Sequence, residues 1–262
     1  DKVCIVTGSA VGIGRAFCEQ LLKQGAFISI FDLDSDAGEL CCVELQQQYG
    51  KNRKVRSLKV RKINKHIDVR RVTANLFAES FHMTKDRFGR IDILINNAEI
   101  RNDKFWELET DVNLNGVIRG TLLAYQFMSK DKGHGGTILN IGSSCSVKPF
   151  LSSPIYTATK HAVMGLTKAY GDQYHYNLTG VRVIGYSVGP TESDSLSHNR
   201  QHNRTPNHER ARKIEMHGIT YQKLDHVARE VIPILLNASS GSLWLVMNDE
   251  KPREMPYSSE LF

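Results

Sequence analysis

The sequence predicts an α/β protein: a doubly wound, seven-stranded parallel sheet with helices on both faces. Two observations predict it. Short apolar runs alternate steadily with longer amphipathic ones along the 262 residues, the pattern of strands joined by crossover helices. A glycine-rich turn also stands directly between the first apolar run and the first amphipathic one. The length suits one large domain over residues 1–262, with neither a repeat nor a linker to divide it.

The first strand is 3–7, and its residues Val3, Cys4, Ile5 and Val6 are apolar without a break, as in a strand buried on both faces. Helix 13–24 and strand 27–31 follow, then helix 37–49. A third strand falls somewhere within 55–69, ahead of helix 70–87. Strand 91–96, helix 105–128, strand 137–141, helix 156–176 and strand 181–186 continue the alternation, each helix carrying apolar residues at helical spacing. Residues 189–217 are polar and rich in His, Arg and Asn, which reads as a lid over a substrate pocket. Helix 224–236 and strand 243–246 complete the sheet.

Composition excludes several classes. A net charge of +6 with 40% hydrophobic residues is ordinary for a globular chain and rules out disorder, collagen and small disulfide scaffolds. No window approaches ~20 consecutive apolar residues, so no membrane span is predicted. The chain starts at Asp1 and enters a strand almost at once, which reads as a trimmed N-terminus and leaves a removed targeting segment open. Cys4, Cys18, Cys41, Cys42 and Cys145 are odd in number and lack CxxC and zinc-ligand spacing, which points to reduced thiols in a cytoplasmic protein. The sequons at Asn177, Asn203 and Asn237 are then chance matches.

Ten Lys and Arg between Lys51 and Arg71 stand against Asp68 alone. Such a run can attract nucleic acid or anionic lipid, but it has no aromatic interleaving and no nucleic-acid module. It reads as a solvated basic insertion at 51–66, with no nucleic-acid partner expected.

The turn after the first strand runs Thr7, Gly8, Ser9, Ala10, Val11, Gly12, Ile13, Gly14. Glycines at 8, 12 and 14 let the backbone approach a pyrophosphate, whose charge meets the amides at the N-terminus of the following helix. Asp32 ends the second strand, followed by Leu33, where a carboxylate can accept hydrogen bonds from an adenosine ribose. Asp32 would repel a 2′-phosphate and Val11 adds no positive charge, so the reading is NAD rather than NADP.

Tyr156 and Lys160 are four apart on one helix, and Ser143 lies just beyond a strand. The spacing sets an ammonium beside a phenol. An adjacent cation favours phenolate, which makes Tyr156 a usable general base for alcohol oxidation.

Together Thr7 to Gly14, Asn96-Asn97-Ala98, Asn113, Ser143, and Tyr156 with Lys160 resemble the short-chain dehydrogenase/reductase family over essentially the whole chain. Gly14-Arg15-Ala16-Phe17, the run 88–94, Gly135-Gly136-Thr137-Ile138 and Gly241-Ser242-Leu243-Trp244 are most similar to its branch of NAD-dependent 15-hydroxyprostaglandin dehydrogenases and insect alcohol dehydrogenases.

The resemblance implies a Rossmann-type domain with strand order 3-2-1-4-5-6-7 and an oxidoreductase that exchanges hydride between NAD and a secondary alcohol or ketone. It implies that Ser143 orients the substrate oxygen, that Tyr156 exchanges the proton, and that Lys160 lowers the Tyr pKa and holds the nicotinamide ribose. It also implies that Asn113 sits at a helix irregularity and keeps a water. Asn97 and the pair Asp68-Val69 are placed near the adenosine, and Thr191 to Ser193 over the nicotinamide. Ser143, Ser153, Tyr156 and the lid bound the substrate pocket. The substrate could be a hydroxy fatty acid or prostanoid, a retinoid or steroid, or a small alcohol, and the enzyme a homodimer or homotetramer.

Three departures from the family stand out. Glu99 replaces a usual glycine, with two outcomes open: its side chain turns outward, or its charge reaches the site and weakens cofactor binding. Val188-Gly189-Pro190 shifts a usual Pro-Gly, and the basic stretch displaces Asp68, which becomes a loop residue if the third strand ends near Val60. No metal site is predicted, because His198, His202 and His208 lack acidic or Cys partners at site-like spacing. Trp106 and Trp244 read as core or interface anchors, and Cys145 as packing. The alternative function is a degenerate member acting as a non-catalytic binding or structural protein.

Overall fold

A computed structural model describes residues 1–49, 55–59, 69–192, 206–215 and 217–256. Eight strands form one sheet: β1 Val3–Thr7, β2 Phe27–Asp32, β3 Val55–Lys59, β4 Ile93–Asn96, β5 Gly136–Ser143, β6 Val181–Val188, β7 Leu243–Val246 and β8 Arg253–Glu254. Their order is β3-β2-β1-β4-β5-β6-β7-β8. The first seven are parallel, as predicted, and β8 is an antiparallel addition at the edge. Its two residues are too few to show a periodicity. Pairing of β3 with β2 also puts Val55–Lys59 inside the sheet, so the basic stretch is in part a strand rather than wholly an insertion.

The helices are α1 Gly12–Lys23, α2 Ser35–Tyr49, α3 Val69–Phe88, α4 Trp106–Thr110, α5 Gly116–Met128, α6 Pro154–Tyr170, α7 Gln173–Thr179, α8 Pro206–Glu215 and α9 Leu224–Asn237. Alternation along β1 explains the two layers. Cys4 and Val6 join the core made with Phe17 and Leu21 of α1, Cys41 and Leu45 of α2, and Val227 and Val231 of α9. Ile5 points the other way, into the core made with Phe81 of α3 and Ala124 and Met128 of α5.

Two predicted helices are broken. The run 105–128 divides into a 3₁₀ turn at Asp103–Phe105, α4, a π turn at Asp111–Asn115, and α5. The run 156–176 stops at Gly171, where a Cβ would meet Gly241 Cα at 2.4 Å. Asp172 restarts the chain as α7 by accepting from the Tyr174 N–H at 2.8 Å. Periodicity carries through such interruptions because the apolar face resumes in phase. Trp106 is 54% exposed and so does not anchor the core, whereas Trp244 packs partly buried against it.

A buried polar chain fixes α6 against the sheet. Asn96 Nδ2 donates to Asn140 Oδ1 at 2.8 Å, and Asn140 Nδ2 donates to Thr167 Oγ1 at 3.0 Å. At the sheet's start, Asp92 accepts from the Val3 N–H at 2.9 Å. Burial works against the Asp92 charge, yet Arg90, that N–H and Lys2 hold its carboxyl below the ordinary value. The polar chain sets the depth of the helix that carries Tyr156 and Lys160.

Candidate active site

The strand order reverses direction between β1 and β4, which opens a crevice at their C-terminal ends. A cavity of about 400 Å³ occupies it. Gly8, Gly12, Ile13, Gly14, Asp32, Leu33 and Asn97 all line this cavity, so seven residues read from separate stretches of sequence meet in one place. Asn97 ties the turn to β4: its Nδ2 donates to the Thr7 and Gly8 carbonyls, both at 2.9 Å. Asp32 accepts from the Ala10 N–H at 2.9 Å and the Asp34 N–H at 3.1 Å, which draws a carboxylate into the cavity wall.

The residues fit a dinucleotide. The N-terminus of α1 has no side-chain cap and no acidic residue in its first turn, so its amides are left to an anion. A Cβ on Gly14 would lie 2.2 Å from the Gly8 carbonyl oxygen and 2.6 Å from Asn97 Nδ2, so the close turn depends on its absence. The cradle is built for something that sits against bare backbone.

Tyr156 and Lys160 lie in the first turns of α6, both almost fully buried. Asp103 reaches across to that helix end, its carboxylate accepting from the Ile155 N–H at 2.9 Å and the Tyr156 N–H at 3.4 Å. Ser143 ends β5, and its Oγ accepts from the Cys145 N–H at 3.3 Å. Ser146 links this turn to α6, accepting from the Ser143 N–H and donating to the Lys160 carbonyl at 3.2 Å. Asn113 does lie in a π turn, where it clamps the Ile100 backbone through two bonds of 2.8 Å.

Glu99 turns inward. Tyr156 Oη donates to Glu99 Oε2 at 3.0 Å, and Lys160 Nζ pairs with the same oxygen at 2.6 Å while donating to the Ile141 carbonyl at 3.0 Å. Lys160 therefore faces a carboxylate as well as the phenol. Burial raises the Tyr156 phenol well above its ordinary value, and the Glu99 charge raises it further. In this arrangement Tyr156 holds its proton.

Ser153 is buried, and its Oγ accepts from Arg101 Nε at 2.8 Å. The Arg101 guanidinium lies 5.4 Å from the Tyr156 ring centre and 5.3 Å from that of Phe150. Glu99, Arg101 and Asp103 thus form a charged strip over the start of α6. Sequence reasoning flagged Glu99 only as a departure and missed the other two, which alternate along one extended segment after β4 but carry no motif. Thr191 is buried and donates to the Gly189 carbonyl at 2.9 Å, and it does not line this cavity. Val69 begins α3, well past the end of β3, and so does not close that strand. Asp68 and the lid residues 193–205 and 216, Ser193 among them, lie outside the described residues. Among those described, no cluster of His, Cys, Asp or Glu suits a metal.

Comparison with known proteins agrees with this geometry. The short chain dehydrogenase family model matches residues 2–204. The chain is 36% identical over 189 residues to a human 15-hydroxyprostaglandin dehydrogenase [NAD(+)], covering 72% of this chain and 67% of that one. It is 44% identical over 104 residues to alcohol dehydrogenase 2 of Ceratitis cosyra, covering 39% and 40%. The chain thus spans about two thirds of the length of the mammalian relatives. A crystal structure of levodione reductase shares the fold, with a TM-score of 0.75 at 21% identity over 94% of this chain and 96% of that one. By its family match, its fold and the residues gathered in its crevice, the chain belongs to the short-chain dehydrogenase family.

Proposed function

We propose that the protein is an NAD-dependent dehydrogenase that oxidises secondary alcohols or reduces the corresponding ketones. The observation that carries this reading is the meeting of Asp32 and the Gly8 to Gly14 turn in one cavity with Glu99, whose carboxylate touches Tyr156 and Lys160. NAD supplies the hydride acceptor, and the chain's contribution is alignment and proton handling. The α1 amides would hold the pyrophosphate, and Asp32, Leu33 and Asn97 the adenosine side. Asp32 selects against a 2′-phosphate by charge. Ser143 would orient the substrate oxygen, and Tyr156 would exchange its proton. Lys160 would fix Tyr156 and the ribose side of the cofactor.

Relatives named for 15-hydroxyprostaglandin favour a hydroxy fatty acid or prostanoid over a small alcohol. Residues 1–262 would act as one catalytic domain with 189–217 over the substrate. The exposed Phe105, Trp106, Leu108 and Leu122 of the α4–α5 face suit association into a homodimer or homotetramer. The five cysteines are buried and none is in a disulfide, in keeping with a cytoplasmic site of action. No helix among the described residues is long and apolar enough to cross a membrane.

Calorimetric titration with NADH and, separately, NADPH tests the cofactor assignment. Micromolar NADH binding with much weaker NADPH binding supports it and opens an alcohol screen read at the nicotinamide absorbance. Binding of neither favours a non-catalytic member, the reading that the Glu99 contact with Tyr156 would then serve.

A further inference from the structure

Among the polar groups at the site, Glu99 Oε2 is singular because one oxygen accepts from both the Tyr156 phenol and the Lys160 ammonium. Lys160 is therefore not free to act on the phenol alone. Its side chain is 3% exposed, whereas that of Glu99 is 41% exposed, so the carboxylate spans from the buried phenol to water. The segment holding it is fixed, since Asn113 accepts from the N–H of the next residue, Ile100, and donates to its carbonyl.

Building on the function proposed above, we propose that Glu99 is a positioning residue that accepts the Tyr156 proton during alcohol oxidation and passes it to solvent. Tyr156 then works as a relay rather than as a resting phenolate. As the alcohol O–H breaks, its proton goes to Tyr156 Oη. The Tyr156 O–H breaks in turn, and that proton goes to Glu99 Oε2. The carbinol C–H bond leaves its electron pair and hydrogen as hydride to NAD⁺, and a C=O bond forms. One secondary alcohol is oxidised, one NAD⁺ is reduced, and Glu99 ends as the neutral acid beside Lys160. Release of that proton to water through the exposed edge of Glu99 resets the site, and ketone reduction runs the same path backward.

The charged and titratable groups facing Glu99 are Tyr156 and Lys160 of α6, Cys145 from the turn after β5, and Arg101 on its own segment. Asp111 and Arg119 line the same cavity but pair with each other at 2.9 Å. The high phenol of Tyr156 agrees with the relay, because a tyrosine that keeps its proton needs somewhere to send it.

The test compares wild type with Glu99→Gln, Glu99→Asp and Glu99→Gly, measuring kcat against pH in the oxidative direction together with NADH affinity by calorimetry. Glutamine keeps the shape and a hydrogen-bond acceptor but cannot take a proton. The relay predicts that Glu99→Gln loses at least ~10-fold in kcat at neutral pH while NADH affinity stays within about threefold. It also predicts that the acid limb of the profile moves up by about one pH unit or more, and that aspartate recovers part of the rate. The opposite sign overturns it. Removing the carboxylate leaves Lys160 to lower the phenol, so a resting phenolate base predicts that Glu99→Gln and Glu99→Gly match or exceed wild type. Faster turnover together with NADH binding tightened by about tenfold would make Glu99 a competitor for cofactor space, and would equally overturn the relay. NADH binding without turnover of any alcohol by any of the four proteins would defeat the dehydrogenase reading itself, and the relay with it.

Discussion

Two glycines of the same turn separate steric need from conformational need. At Gly14 φ is ordinary, but an added Cβ would meet the Gly8 carbonyl oxygen at 2.2 Å and Asn97 Nδ2 at 2.6 Å. Gly8 belongs to the turn and Asn97 ties it to the end of β4, and neither can yield without cost. Asn97 Nδ2 makes two bonds to the Thr7 and Gly8 carbonyls, each contributing about 1 kcal/mol, and forcing the backbone apart costs about 1–3 kcal/mol more. Gly14→Ala should therefore destabilise the fold by about 3–5 kcal/mol and weaken NADH by at least ~10-fold. At Gly12 the added carbon meets nothing, and the only cost is φ of +60°, about 1–2 kcal/mol for a residue with a side chain. Urea unfolding and NADH calorimetry on both variants decide the matter. If Gly14→Ala proves no worse than Gly12→Ala in either assay, close backbone approach does not shape this turn.

Asp32→Asn keeps an acceptor for the Ala10 N–H but removes the charge, so NADH should weaken modestly and NADPH strengthen, narrowing their affinity ratio by about tenfold or more. An unchanged ratio in paired titrations would show that the carboxylate does not meet the ribose. Burial, followed by the nearby Asp103 charge, raises the Glu109 carboxyl to about 7. The folded state then holds a proton that the unfolded chain releases, so this group's contribution to stability declines as pH rises from about 4.5 to about 7. Glu109→Gln should raise the thermal midpoint relative to wild type by about 2–4 °C at pH 8 and by less at pH 5; calorimetric scans showing equal effects at both pH values would remove that account.

The sheet was largely legible because its strands are written as apolar runs: each residue of β1 is buried, and the alternation of Cys4 and Val6 against Ile5 divides the two cores. Helix ends were less so, since Gly171, where α6 stops, packs so closely on Gly241, far along the chain, that a side chain would not fit. The cofactor crevice was legible because the glycines and Asp32 owe their positions to local geometry. What escaped was the charged strip. Whether Glu99 points out or in depends on Lys160 and Tyr156, and whether Asp103 acts as a cap depends on the start of α6 lying opposite it. Spacing along the chain encodes neither contact. The third strand ends at Lys59 and Val69 opens α3, a boundary that the long basic connection had blurred.

The central claim is that Tyr156 carries the proton of an NAD-linked alcohol reaction, and Tyr156→Phe tests it most directly. The variant loses one hydroxyl and keeps the ring beneath Arg101. Turnover with NAD⁺ and a hydroxy fatty acid, measured beside NADH calorimetry, should fall by at least ~100-fold while affinity stays within about threefold. A phenylalanine variant that binds NADH as wild type does and keeps more than about a tenth of the turnover would contradict the account.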